Sequence, residues 1–387
     1  LRGRIEGYSP EAGFPTQLEL SYTSVFDKDE LVMVADIRPD GTFEKRWEVD
    51  HPKQHSFRWD KALPGMSYLE VFARPGGTIN GTVRRAEDGL YRCIYHDGSS
   101  QAVERWLKSG LDLCGFASRM YHFKGTPGEA EALAEKLWKL IIYRLQTVAA
   151  RHSFTPMEMQ LAMADAQVQH AMGVMDYALG KMFDANMVTA ADSAVYAALR
   201  DTAFYGRLLR RIDFDNPLLM ASGYYDILLN RIQYAWPVRF ADGPVEITDE
   251  NGPWTNPAES ILNEMEKRYA TWRSMMGSTK NNLMAQMCNY QEMLGDYNMW
   301  RENEISKDKV LADPKLSEEE RKQQAASVPC LSNVFPRYVA SFSHEALRRH
   351  AEQFHAARQA KASFTSPLPE GQPAELIRSL QMRYPGR

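Results

Sequence analysis

Cysteine is scarce in this sequence: Cys93, Cys114, Cys288 and Cys330 are all there are in 387 residues. No two of them lie two residues apart, so there is no CxxC redox pair and no zinc-type spacing. Isolated cysteines of this kind are ordinarily buried thiols; in an oxidising compartment geometry would decide whether any of them pair. Long apolar runs are missing as well. The stretch "LWKLIIY" at 137–143 carries a lysine and falls far short of the roughly 20 residues a membrane helix needs.

Charge of one sign is not in excess either. Forty-six basic against fifty acidic residues leave −4, which supplies no basic field for nucleic acid or an anionic membrane. No GxSxG, Walker loop or helix-opening GxGxxG occurs, so the familiar nucleophile and phosphate signatures are excluded, and no cofactor is read from the residues. The first residue is Leu1 and no basic, apolar and small-residue series precedes it, so the expectation is a processed or trimmed chain.

What is present is a composition of 44% hydrophobic and 25% charged residues, ordinary for a globular chain of two or three domains. Two periodicities divide it. "TQLELSY", "LVMVADI", "TFEKRWEV", "HSFRW" and "SYLEVFA" alternate apolar and polar residues between the turn clusters "RPDGTF" and "RPGGTING". In "RPDG", Pro39 presets its own φ and Gly41 takes the positive φ of a tight turn. Residues 1–98 are therefore expected to form an antiparallel β-sandwich of seven or eight short strands.

After residue 99 the period becomes helical, and a start signal repeats. "TPGE" at Thr126, "TPME" at Thr155 and "NPAE" at Asn256 each place a capping side chain, then Pro, then Glu at the third helical position; "SEEE" at Ser317 repeats the box without proline. Residues 99–362 are expected to be nearly all helical, broken by a long loop near 240–257 and including a solvated, charge-dense helix-turn-helix at 301–324. Residues 363–387 read as a Pro-rich linker and an amphipathic helix bearing Leu376, Ile377, Leu380 and Tyr384. The fold class is thus α+β in two segregated parts.

Several constellations invite a chemical reading. "SHEALRRH" resembles HExxH, but Arg348 stands four after His344. His344 and His350 lie about 240° apart on a helix, and His350 and His355 are also splayed, so the reading is a solvated basic face and no metal site. Met159, Met163, Met172, Met175 and Met182 form a helical stripe that could line a groove or hold Cu(I), although core packing explains it more simply. Tyr224, Tyr225, Tyr234 and Trp236, and Tyr290, Tyr297 and Trp300, could form stacking platforms, but their spacing favours burial. Asp226 and Arg231 are read as a pair across a helix turn or as caps. No catalytic, cofactor-binding or metal-ligating residue is assigned.

The order of motifs carries a resemblance. "IEGY", then "IRPDGTFEKRWEVDHP", then "LEVFARPGGTINGTV" resembles the N-terminal β-domain of envelope thiol–disulfide oxidoreductases of the Bacteroides group, in the TlpA-like branch of the thioredoxin family. Asp40, Gly41, Thr42 and Phe43 match one turn of that pattern. Pro75, Gly76, Gly77 and Thr78 match another, with Gly77 where Asp is commoner. "YYDILLNRIQYAWPV" resembles a segment of the helical region that follows there. "ELIRSLQMRYPGR", with Tyr384, Gly386 and Arg387, resembles the approach to a thioredoxin domain.

The resemblance implies a periplasmic or envelope protein whose C-terminal thioredoxin domain, outside these residues, carries WCxxC. The present chain would be its non-catalytic accessory region, positioning that domain or selecting envelope protein substrates, with oligomerisation left open. The rival expectation is a periplasmic binding or scaffold protein for peptide, glycan or lipid with no redox role.

Overall fold

The computed structural model describes residues 1–23, 25–26, 30–109, 111, 113–182, 190–239 and 257–363. The expected loop at 240–256, with the Asn256 cap, and the linker and helix at 364–387 lie outside them, as do the Cys114 and Met182 side chains. Among the described residues eight strands come first: β1 (Arg2–Ile5), β2 (Gln17–Thr23), β3 (Glu30–Asp36), β4 (Thr42–Glu44), β5 (Lys53–Leu63), β6 (Met66–Ala73), β7 (Asn80–Arg85) and β8 (Tyr91–Tyr95). They build two four-stranded sheets, ordered β4-β1-β7-β8 and β3-β2-β5-β6. All pairings are antiparallel except β1 with β7, which run parallel. The expected antiparallel β-sandwich is present, with this one parallel pairing inside it, since alternation fixes the face of a strand but not its direction.

The inward faces follow the period of two. Leu18 and Leu20 on β2, Phe57 and Trp59 on β5, Leu69 and Val71 on β6 and Val83 on β7 close one apolar core. The turns obey their chemistry. Gly41 has φ +78°, its N–H donates to Arg38 C=O at 2.8 Å, and the Asp40 carboxylate accepts from Thr42 N at 3.0 Å.

Thirteen α-helices follow among the described residues: α1 (Gly98–Lys108), α2 (Cys114–Tyr121), α3 (Pro127–His152), α4 (Pro156–Met182), α5 (Ala190–Arg200), α6 (Thr202–Leu209), α7 (Tyr225–Gln233), α8 (Trp236–Arg239), α9 (Pro257–Met275), α10 (Leu283–Leu311), α11 (Glu318–Ser327), α12 (Leu331–Ser341) and α13 (Glu345–Ser363). The caps work as their sequences dictate. Thr126 N donates to Glu129 Oε2 at 2.8 Å and Glu129 N returns to Thr126 Oγ1. Ser317 and Glu320 repeat this on α11, and Thr155 with Glu158 on α4. Trp272, Trp300, Tyr177, Tyr205 and Tyr269 fill the helical core.

The strand and helix regions are segregated along the chain but share packing. Val25 and Phe26, between β2 and β3, belong to the helical core, where Gln291 Nε2 on α10 donates to Val25 C=O. On the other side Phe72 of β6 packs with Val103 and Trp106 of α1, Leu145 of α3 and Leu161 of α4. Phe72 N donates to Ser100 Oγ at 3.2 Å. These two seams fix the orientation of sandwich against helices, and a cleft lies beside the first.

Candidate functional site

The cleft encloses about 450 Å³. One wall comes from the β4–β5 connection, "WEVDHPK", which leaves β4 at Glu44 and enters β5 at Lys53. The other comes from α13, through His350, Phe354 and Arg358. Phe26 and Tyr290 form the floor between them.

The Phe26 ring is the hub. It lies flat against His350, centroids 4.2 Å apart, and meets His51 edge-on at 5.4 Å and Tyr290 at 6.2 Å. His350 Nε2 stands 3.1 Å from Asp50 Oδ1, at ion-pair distance but off the direction of a hydrogen bond. The imidazole beside it lowers the Asp50 carboxyl below its usual range. Lys53 reaches Asp226 Oδ2 at 3.9 Å, which ties the mouth of the cleft to α7.

His51 is only 9% exposed, and neither ring nitrogen has a hydrogen-bond partner within the protein. Burial, with Lys53 next in weight, pushes its pKa down to about 3; burial likewise pushes His55 down to about 4. Both rings are therefore neutral at pH 7, each with one donor and one acceptor nitrogen. A buried polar group without a partner costs about 1–3 kcal/mol. His51 is such a group, and it faces the cleft. Trp47 Nε1 is a second buried donor without a partner on the same wall.

Among the described residues no serine, threonine or cysteine lines the cleft beside the His350–Asp50 pair. Among the described residues no group of three His, Cys, Asp or Glu side chains converges for a metal.

The residues singled out from sequence fall elsewhere, with one exception. His350 is that exception: it is not on a solvated face but half-enclosed in the cleft. His355 instead takes Tyr297 Oη on Nδ1 at 2.7 Å, and His344 caps through its backbone N–H on Gln286 Oε1. Met172 and Met175 are core, and Met159 and Met163 are half-buried. Tyr225, Trp236, Tyr290, Tyr297 and Trp300 are buried; Tyr234 is exposed, with Arg239 over its ring at 4.3 Å. Asp226 and Arg231 do not pair with each other: Asp226 faces Lys53, and Arg231 Nε donates to Asp176 Oδ1 at 3.1 Å. Cys93, Cys288 and Cys330 are buried thiols.

A second polar cluster sits inside the helical body. Glu292 accepts from Gln233 Nε2 at 2.7 Å and from Arg239 Nη2 at 2.5 Å, with Arg268 Nη1 at 3.8 Å. Its charges answer one another, which is a structural role.

Sequence reasoning missed His51, His55 and Asp50. His55 shares parity with Phe57 and Trp59, which marked it as inward-facing. Nothing local marked Asp50 or His51, whose neighbours come from α13.

Compared with known proteins, the chain matches no family model, no curated protein sequence and no solved structure.

Proposed function

We propose that this chain works by binding: it is the non-catalytic accessory region of a bacterial envelope thiol–disulfide oxidoreductase, positioning a C-terminal thioredoxin domain or selecting its protein substrate. The observation that carries this reading is the order of parts. A two-sheet β-domain leads directly into a helical body, as the resemblance of "DGTF" and "PGGT" implies, and the two are joined by Phe26 and Phe72, which supports their acting together as the base for a further domain. The thiol chemistry belongs to that further domain, where a thiolate attacks a substrate disulfide and a second cysteine resolves the mixed disulfide. Within this chain Cys288 is buried and its thiol is pushed well above its usual pKa, the opposite of a reactive thiolate.

A second reading, favoured by the unpartnered His51 in its cleft, is an envelope binding protein with no redox partner. The test common to both is insulin-disulfide reduction by the purified chain. The accessory and binding readings expect no rate above that of the buffer thiol. Reduction at a thioredoxin-like rate overturns them.

A further inference from the structure

We propose that the cleft binds an extended polypeptide segment, added as a strand along the open edge of β3. This rests on the reading that the chain recognises protein substrates, and it names where and how.

β3 ends its sheet: among the described residues its only ladder is with β2, and a single bridge from Ile37 to Phe43 of β4 covers just the end of the open edge beyond Asp36. Val32 and Met33 are consecutive on β3, so their side chains leave opposite faces, yet both line the cleft. A cavity touched by both residues reaches round the edge of the strand, where, among the described residues, backbone N–H and C=O groups have no ladder partner. Val32 is 66% exposed there, a β-branched residue on an uncovered edge. An unpaired edge is the usual template for strand addition.

His51 supplies the second, independent observation. It is nine-tenths buried, it faces the cleft, and both its nitrogens lack partners. A neutral imidazole shows one donor and one acceptor, which complement the C=O and N–H of a peptide group. Trp47 Nε1 adds a donor suited to a second carbonyl. The rings of Phe26, Tyr290 and Phe354 give an apolar bed for one side chain of the segment. Glu48 and Asp50 on the lining are offset by Lys53 and Arg358, so the cleft has no net charge to favour a phosphate or a strongly charged ligand.

The test is calorimetric titration of the whole chain with an N-acetylated, C-amidated heptapeptide of alternating threonine and valine with one central phenylalanine. Two further titrants are the same peptide N-methylated at alternate amides, and maltohexaose. Saturable binding of the first peptide is expected, weakened at least about tenfold by N-methylation, by His51→Phe, and to a smaller degree by Trp47→Phe. Thermal unfolding of each variant checks that it is folded; if His51→Phe fails to fold, Trp47→Phe and the N-methylated peptide still decide.

No saturable binding at millimolar peptide overturns the proposal. So does equal binding of the N-methylated peptide, or binding of maltohexaose in place of peptide. These failures leave the oxidoreductase reading untouched. Conversely, a coding frame with no CxxC domain beyond Arg387 removes the redox role and leaves peptide binding standing.

Discussion

His350 of α13 lies flat on Phe26 of the β2–β3 connection, with ring planes 10° from parallel. One residue belongs to the last described helix and the other to the first hairpin, so the stack joins the two ends of the described chain. Phe26 is buried, and its truncation removes both the stack and the edge contacts to His51 and Tyr290. Phe26→Ala is expected to cost about 3–5 kcal/mol in urea unfolding. A cost below about 1 kcal/mol means that the β-domain is held to the helices by the Phe72 seam alone.

Acid should weaken the protein in a defined window. His51 titrates at about 3, and His55 and His170 at about 4, all chiefly because burial disfavours the charged ring. In the unfolded chain these rings titrate near 6.5, so between about pH 6.5 and 4 the unfolded state binds more protons. Stability therefore falls as pH falls through that window, by up to about 1.4 kcal/mol per pH unit per ring, and is flat above it as far as these rings are concerned. Asp50, held low by His350, adds a loss only at lower pH, where its carboxyl takes up a proton. Urea unfolding of His51→Phe at pH 7.5, 6 and 5 should show a shallower slope than the parent. An unchanged slope contradicts the neutral, buried state of His51.

Glu292 holds two arginines inside the helical body, and it and Arg268 are nearly buried. Glu292→Ala leaves Arg239 and Arg268 short of their carboxylate, and breaking a buried pair in this way costs about 3–5 kcal/mol. Asp296, whose pKa is raised by burial and then by Glu292, should titrate lower in the variant, returning part of that loss. NMR titration of Asp296 together with denaturant melts checks both.

Gly180 lies inside α4, where alanine ordinarily stabilises a helix by about 1 kcal/mol. Here an added Cβ would overlap the Tyr121 carbonyl oxygen at the end of α2. Gly180→Ala is thus expected to destabilise, reversing the sign of helix propensity, and a thermal melt reads the direction. A stabilised variant would mean that α2 shifts freely against α4.

Much of this architecture was written locally. The alternation of "TQLELSY" and "SYLEVFA" assigns one face of β2 and β6 to the core, and Thr126, Thr155 and Ser317 announce helices by chemistry within four residues. The parallel β1–β7 pairing was not legible, because a four-residue strand takes its direction from a partner far along the chain. The site was least legible of all. Its contacts, His350 with Asp50 and Phe26 with Tyr290, join residues whose sequence distance exceeds any periodicity, and "SHEALRRH" taken alone pointed to a solvated face. Neighbours from a distant element turned His350 inward, and the same neighbours keep His51 neutral and without a partner.

The central claim is that this chain is the binding partner of a redox domain encoded with it. The coding sequence beyond the Arg387 codon tests it most directly. The account predicts a buried β-strand and a WCxxC motif in the same frame soon after that codon. A stop codon there contradicts it, and the free-standing binding protein then takes its place.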